Sequence, residues 1–342
     1  MGDQVQVQKV EREEMLALSS QILRAIGTSP DDALSVADSL VQAQEAGHAS
    51  HGVIRLIEYT SFVEGGWVIP TGQPRIVSDR GAVALIDGQW GWGQIACKNA
   101  VELATQKALA LGTATIAIRS CNHIGRLGEY VETLASRNLV SMMWCNADPA
   151  VAPFGGRTRV FGTNPFAAGI PTSNEDIIID FATAGSAEGK LRIARANGQK
   201  VSEGLIITKD GKPTNDPEDF YSGGALLPFG GHKGYCMSLL IEILGGALSG
   251  NHPSMNAAYS RGNGAVLTVI NPEFLVGLAE YSKDVDEAAR EIKKSPAANP
   301  ESPVLLPGEV EQAQRVKNKD SIEISTAIWQ SIQELAVKVT KP

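Results

Sequence analysis

The sequence predicts an α/β fold, on three observations. Residues up to about 75 carry apolar positions at helical spacing, residues 76–304 alternate short β-branched or apolar runs with helical stretches, and the chain returns to helix from about 305. A length of 342 residues suits about two domains. The pattern divides it into a helical unit, residues 1–75 plus 305–342, and an α/β unit over 76–304.

Taken in order, Met15, Leu18, Ile22 and Ile26 mark one face of a first helix. Ser29-Pro30-Asp31-Asp32 then supplies an N-cap, a first-turn proline and acids that complement the dipole of a second helix, which should stop at Gly47. A third helix is expected from about Gly52 to Glu64, ended by Gly65-Gly66. Strands are expected at 83–86, 115–118, 140–144, 166–170, 177–179, 205–207 and 266–270, with helices at 98–111, 128–137 and 234–248 between them. Residues 283–294 read as a charged surface helix and 296–307 as a proline-rich connector. Helix resumes over 309–339 around a short strand at 322–324, and this segment is expected to pack back on the first helices.

Composition narrows the function. With 43% apolar and 20% charged residues and a net charge of −8, the chain is an ordinary globular one. The negative balance argues against nucleic acid, whose affinity rests on clustered Lys and Arg. No apolar run is long enough to span a membrane, and the first 20 residues carry Asp3, Lys9, Glu11, Arg12, Glu13 and Glu14 with no apolar signal core. Cys97, Cys121, Cys145 and Cys236 are scattered without a CxxC pair, as in a reducing compartment; a cytoplasmic protein is expected. The 35 glycines, about a tenth of the chain, gather in short clusters that suit tight turns and close backbone approach to a ligand.

Several local patterns carry chemistry. Gly91-Trp92-Gly93-Gln94-Ile95-Ala96 follows a strand and opens a helix, as a dinucleotide fingerprint does. Its details argue for a structural turn instead: residues 87–90 intervene after the strand, and the next strand ends in Arg119-Ser120 rather than an acid that would hold a ribose. In the run AGHASHGVIRLIEY, His51 is expected at a helix N-terminus that favours its neutral form, with Arg55 one turn down the same face as a two-pronged carboxylate clamp. A proton-transferring histidine beside such a clamp is what reduction of a 2-oxo acid requires. A helix cap with a solvated arginine would carry the same residues. A zinc reading of His48 and His51 lacks both the HExxH spacing and a third ligand, so no metal is expected. His123, in Cys121-Asn122-His123-Ile124-Gly125 at a strand end, is a second candidate acid or base. Thr163 and Asn164 could orient a carboxamide or substrate oxygen, or simply form an Asn-Pro turn. Asp180-Phe181-Ala182-Thr183 closes a strand. Gly230-Gly231-His232-Lys233 opens a helix whose free N–H groups and lysine could hold a phosphate; it is not a Walker loop.

In this order SHGVIR, NHIG, FGTNP, IIIDFAT, PFGGHKGY and LLPGE resemble the malate/L-lactate dehydrogenase family of the second type. That family also includes sulfolactate and ureidoglycolate dehydrogenases, diketogulonate reductase and piperideine/pyrroline-carboxylate reductase. The likeness spans residues 10–335. It implies a homodimeric NAD(P)-dependent oxidoreductase with a mixed-sheet, non-Rossmann cofactor-binding domain and a helical domain on the substrate side that also makes dimer contacts. It implies hydride transfer to or from C2 of a small 2-hydroxy/2-oxo acid, or of a cyclic imino acid at the same site. By resemblance His51 and His123 are the candidate catalytic residues, and Arg55, with His48 near it, would meet the substrate carboxylate. The likeness assigns cofactor contacts to Thr163, Asn164, Asp180, Phe181, Ala182, Thr183, His232, Lys233, Ala298, Asn299, Pro300 and Glu301. Cys236 stands where many relatives carry glycine, and Ala184-Gly185-Ser186 follows the Asp180 motif, which leaves NAD against NADP open. A metal-assisted hydrolase using the HxxH pair and a nucleotide-binding sensor are the competing function classes.

Overall fold

The computed structural model describes residues 6–341. The chain begins with β1 (Val7–Glu11), α1 (Arg12–Ala25), α2 (Pro30–Glu45) and α3 (Arg55–Glu64). The Ser29 hydroxyl accepts from the Asp32 N–H, with Pro30 in the first turn, so α2 starts where its cap dictates. Met15 and Ile22 of α1 are fully buried, against Leu40, Leu56, Trp329 and Ile332. That packing joins the chain ends: β12 (Ser321–Ser325) pairs antiparallel with β1, and α11 (Thr326–Thr340) lies on α1.

The large sheet comprises β2 (Arg75–Arg80), β3 (Val83–Asp87), β4 (Thr113–Cys121), β5 (Val140–Cys145), β6 (Pro165–Ile170), β7 (Ile177–Ala182) and β11 (Asn263–Ile270). Their spatial order is β2-β3-β4-β11-β5-β6-β7. Only β3 and β4 are parallel neighbours, joined through α4 (Gly93–Leu111); every other pair is antiparallel. A doubly wound nucleotide fold needs consecutive parallel strands, so this sheet is mixed and not of that kind. β11 sits in its centre and is buried along most of its length, as a strand covered on both faces should be. Ala96, Ala100, Ala104 and Ala108 present a small, fully buried face of α4, with α5 (Gly128–Ala135) covering the same core. Fully burying Ile116 and Ile118 beneath them contributes roughly 1.5–3 kcal/mol each.

A smaller unit follows β7. It contains α6 (Glu188–Ala196), β8 (Ile206–Ile207), β9 (Pro213–Thr214), α7 (Pro217–Tyr221) and β10 (Ala225–Leu226), packed on Val151, Phe161, Leu191 and Phe220. α8 (His232–Ile241) then runs into a π-helical turn, Glu242–Leu248. α9 (Leu278–Lys293) and α10 (Glu309–Lys317) bury none of their residues in the single chain. Among the described residues no helix is long and apolar enough to cross a membrane.

The third helix differs from its expected start. It begins at Arg55 rather than near Gly52, because Ala49–His51 forms a 3-10 turn and Gly52 is extended against Gln44. The His51 N–H donates to the His48 carbonyl at 2.8 Å, so this backbone group is not a free helix-end donor, and Arg55 does not share a helical face with His51. The edge strand 75–80 and β1 were not anticipated from periodicity.

Candidate active site

β4 and β5 end, and β11 begins, at one edge of the sheet, and the loops there carry His123, Asp148 and Arg261. α3 and Trp67 face these loops from the helical unit, and Arg159, Glu188, Phe220 and Tyr221 close the third side. Together they enclose a cavity of about 460 Å³. A cleft between packed units is where small-molecule sites usually form.

Four side chains make a hydrogen-bonded chain along one wall. Gln94 Nε2 donates to the Tyr59 hydroxyl at 2.7 Å, and that hydroxyl lies 2.8 Å from His123 Nδ1. His123 Nε2 is 3.2 Å from His51 Nδ1, and the two imidazoles stack nearly parallel with centroids 5.3 Å apart. With Tyr59 O accepting from Gln94, its proton goes to His123 Nδ1; His123 then donates from Nε2 to His51 Nδ1, and His51 carries its proton on Nε2. These tautomers are assigned from the network. Burial lowers the His51 pKa to about 3, with Arg55, His48 and Arg126 adding repulsion. The same causes, burial first and then Arg55 and His51, hold His123 well below its ordinary value. Both rings are therefore neutral at pH 7, for a different reason than a helix dipole.

The turn that resembled a dinucleotide fingerprint supports this wall. A Cβ on Gly93 would lie 2.2 Å from the Asn122 carbonyl and 2.5 Å from that of His123, so only glycine lets α4 start so close beneath the NHIG loop. Asn122 Nδ2 returns two hydrogen bonds to the Trp90 and Gly91 carbonyls.

Arg55 reaches the cavity, but its fork is partly occupied. Nε donates to the Ser50 carbonyl at 2.7 Å and Nη1 pairs with Glu58, leaving the Nη2 end for an anion. His48 is turned away to Glu311, 3.3 Å from it, and does not line the cavity. Thr163 lines the cavity, whereas Asn164 is fully buried beside it. The Asn164 amide donates to Glu242 and to the Ser238 carbonyl and accepts the Ala147 N–H, while Thr183 bonds both the Thr163 and Asn164 carbonyls. These residues brace the wall from behind.

A second groove, about 600 Å³, runs past Phe154, Gly155, Gly185 and the Pro228 to Gly231 loop at the start of α8. Gly230 and Gly155 would each have open space at a Cβ position. Gly231 provides no side-chain cap to α8, and Lys233 is exposed in its first turn. Phe181 is exposed and packs edge-on to Phe166 and Phe229. Asp180 instead accepts the Gly128 N–H at 2.8 Å near Arg126; burial raises its pKa to about 6 against the pull of Arg126. Ala298, Asn299, Pro300 and Glu301 form a surface turn that lines neither cavity within this chain. Among the described residues no group of three or more His, Cys, Asp or Glu side chains could hold a metal ion.

The sequence profile of the malate/L-lactate dehydrogenases matches residues 10–333. The chain belongs to the malate/L-lactate dehydrogenase family. It is 38% identical to L-sulfolactate dehydrogenase of Methanocaldococcus jannaschii over 96% of this chain and 95% of that one. It is 35% identical to L-lactate dehydrogenase of Cupriavidus necator, over 93% and 94% of the two chains. Among solved structures, Δ1-piperideine-2-carboxylate reductase of Pseudomonas syringae superposes with a TM-score of 0.87 at 32% identity, covering 96% of this chain and 99% of the other. As a member of this malate/L-lactate dehydrogenase family, the protein is an oxidoreductase of the hydroxy-acid dehydrogenase type, acting on CH–OH. His51, His123 and Arg55, candidates from separate stretches of the sequence, line one cavity, and Tyr59, Gln94, Glu58, Arg159 and Arg261 join them there only in the fold. Tyr59, Gln94 and Glu58 sit inside motifs already singled out; Arg159 and Arg261 have no local signature at all.

Proposed function

We propose that the protein is an NAD(P)-dependent dehydrogenase that interconverts a small 2-hydroxy acid and its 2-oxo acid. The observation that carries this reading is the chain Gln94–Tyr59–His123–His51, ending in a cavity that also holds Arg55. When bound, a nicotinamide supplies or accepts the hydride at C2. The fit is supported by the glycine-lined groove with its uncapped helix end and by the exposed Phe181 cluster. Thr163, Phe181, Ala182, His232 and Lys233 are the residues proposed to hold the cofactor, with Asn164, Asp180 and Thr183 positioning them.

In oxidation the pair takes the opposite tautomer, His123 Nδ1–H donating to the Tyr59 oxygen and His51 Nδ1–H to His123 Nε2, so that His51 Nε2 is free to accept the hydroxyl proton as the C2–H bond electrons leave as hydride. Tyr59 keeps His123 oriented, and Arg55 Nη2 pairs with the substrate C1 carboxylate. In reduction, arrival of that carboxylate beside the rings offsets the repulsion from Arg55 and raises their affinity for the proton they must deliver. General acid–base catalysis contributes typically 10²- to 10⁴-fold. Oxidation of reduced NAD or NADP with oxaloacetate, pyruvate or sulfopyruvate is the test; nucleotide that binds without turnover of any oxo or imino acid would leave a sensor.

A second reading, reduction of a cyclic 2-imino acid on the same groups, is favoured by the likeness to the piperideine-carboxylate reductase. It replaces the C2 oxygen with a ring nitrogen and needs the same proton and carboxylate partners.

The homodimer is also a proposal, supported by α8. Cys236, Leu239, Leu240, Ile243 and Leu248 form an exposed stripe along α8 and its π-helical end, with Leu240 46% and Leu248 61% exposed. The free, buried thiols of Cys97, Cys121 and Cys145 suit a cytoplasmic setting.

A further inference from the structure

The charged groups of the cavity beside His51 and His123 are not equally engaged. Arg55 is paired with Glu58 and the Ser50 carbonyl. Arg159 donates to the Gly224 and Phe220 carbonyls and lies flat on the Phe220 ring at 4.0 Å. Glu188 holds Arg192 and the Tyr221 hydroxyl, and Asp148 accepts from Tyr259. Arg261 is the exception: its hydrogen bond among the described residues is from Nη2 to the Trp67 carbonyl at 3.2 Å, and its Nε–H is buried with no partner.

Arg261 is nevertheless held firmly. Its guanidinium lies 4.7 Å from the Trp90 ring centroid and 6.0 Å from that of Trp67, contacts that engage its faces and leave its Nη1 edge open. Trp90 reaches it from a strained backbone: Gln89 and Trp90 are successive non-glycine residues in the left-handed region, at φ 53° and 54°. Gly262 lets the chain pass beneath, since a Cβ there would lie 2.9 Å from the Trp90 ring. A positioned cation with open donors and no carboxylate is costly until an anion arrives.

We propose that Arg261 receives a second anionic group of the substrate, a carboxylate or sulfonate carried on C3 of the 2-oxo or 2-hydroxy acid. Arg55 then takes the C1 carboxylate and Arg261 the far end, with Trp67 and Trp90 fixing the guanidinium plane. The inference rests on the dehydrogenase reading above and assigns the substrate class it left open.

The experiment compares kcat/KM for oxaloacetate, sulfopyruvate and pyruvate in the wild type and in Arg261→Gln and Arg261→Lys. The wild type is expected to prefer at least one dianion over pyruvate by about 100-fold or more, the better of the two showing whether carboxylate or sulfonate is read. In Arg261→Gln that preference falls 10- to 100-fold, with the loss in KM for the dianion, and Arg261→Lys recovers part of it. A merely structural Arg261 would lower all substrates alike and leave the preference unmoved, which overturns the proposal, as would a wild type that prefers pyruvate. Failure of every oxo acid in the wild type would overturn the dehydrogenase reading along with it.

Discussion

Buried between Arg55, His48 and Tyr59, the two imidazoles of the site can only be neutral in the free protein, and this has kinetic consequences. For oxidation of the hydroxy acid, kcat/KM reports the free enzyme, and its base form persists down to the lowered pKa. The acid limb is therefore expected well below the ordinary histidine value of ~6.5, which a pH profile with a saturating cofactor checks. Replacing His123 with Ala should lower kcat by about 10²- to 10⁴-fold while nucleotide affinity, measured by fluorescence titration, stays within about threefold. Tyr59→Phe should cost about 10-fold in kcat, because the ring stays but His123 Nδ1 loses its partner. At this scale the sequence was legible where neighbours in one motif line one cavity, as His51 and Arg55 do. It was illegible where the partner is remote: Tyr59 and His123 are 64 positions apart, and nothing around Arg261 forecasts its place between two tryptophans.

Helix and strand starts decide whether those side chains meet. The first turn of α4 sits against the NHIG loop because Gly93 has no Cβ, so Gly93→Ala must push that loop away. The expected result is a loss of roughly 2 kcal/mol or more in urea unfolding together with a large fall in activity. By contrast Ser29→Ala removes a remote N-cap and should cost ~0.5–2 kcal/mol with kcat unchanged. Elements with a buried face were readable: α1, α2, α4 and the inner strands follow apolar spacing, and Ser29-Pro30 marked its own helix. The edge strand 75–80 was not, because it is almost wholly exposed and carries no alternation; β9 and β10, two residues each, are too short to show a period, whereas β8 lies within the expected apolar run 205–207. The start of α3 was misplaced because Gly52 reads as a helix opening, whereas its contact with Gln44, eight residues earlier, keeps it extended.

Across the whole molecule, burial of ionisable groups makes stability depend on pH. Asp180 titrates near 6 in the fold against an ordinary value of 3.8, so its contribution is most favourable when it is protonated and is lost as pH rises through about 6. Asp180→Asn is thus expected to gain on the order of 1–3 kcal/mol relative to wild type at pH 8 and little at pH 4, read from urea midpoints at the two pH values. The apolar stripe of α8 predicts association, and Leu240→Glu should shift a sedimenting dimer toward monomer at micromolar concentration. The ordered motifs made the family legible from sequence alone, while the α8 stripe was not, since only the fold shows which face of that apolar helix remains uncovered. The central claim, proton relay at His51 and His123 coupled to hydride transfer at C2, is tested most directly by following deuterium. With reduced NAD or NADP deuterated at both C4 positions and an accepted 2-oxo acid, proton NMR of the product should show one deuterium on C2 per turnover. Product whose C2 carries hydrogen from solvent instead would contradict it.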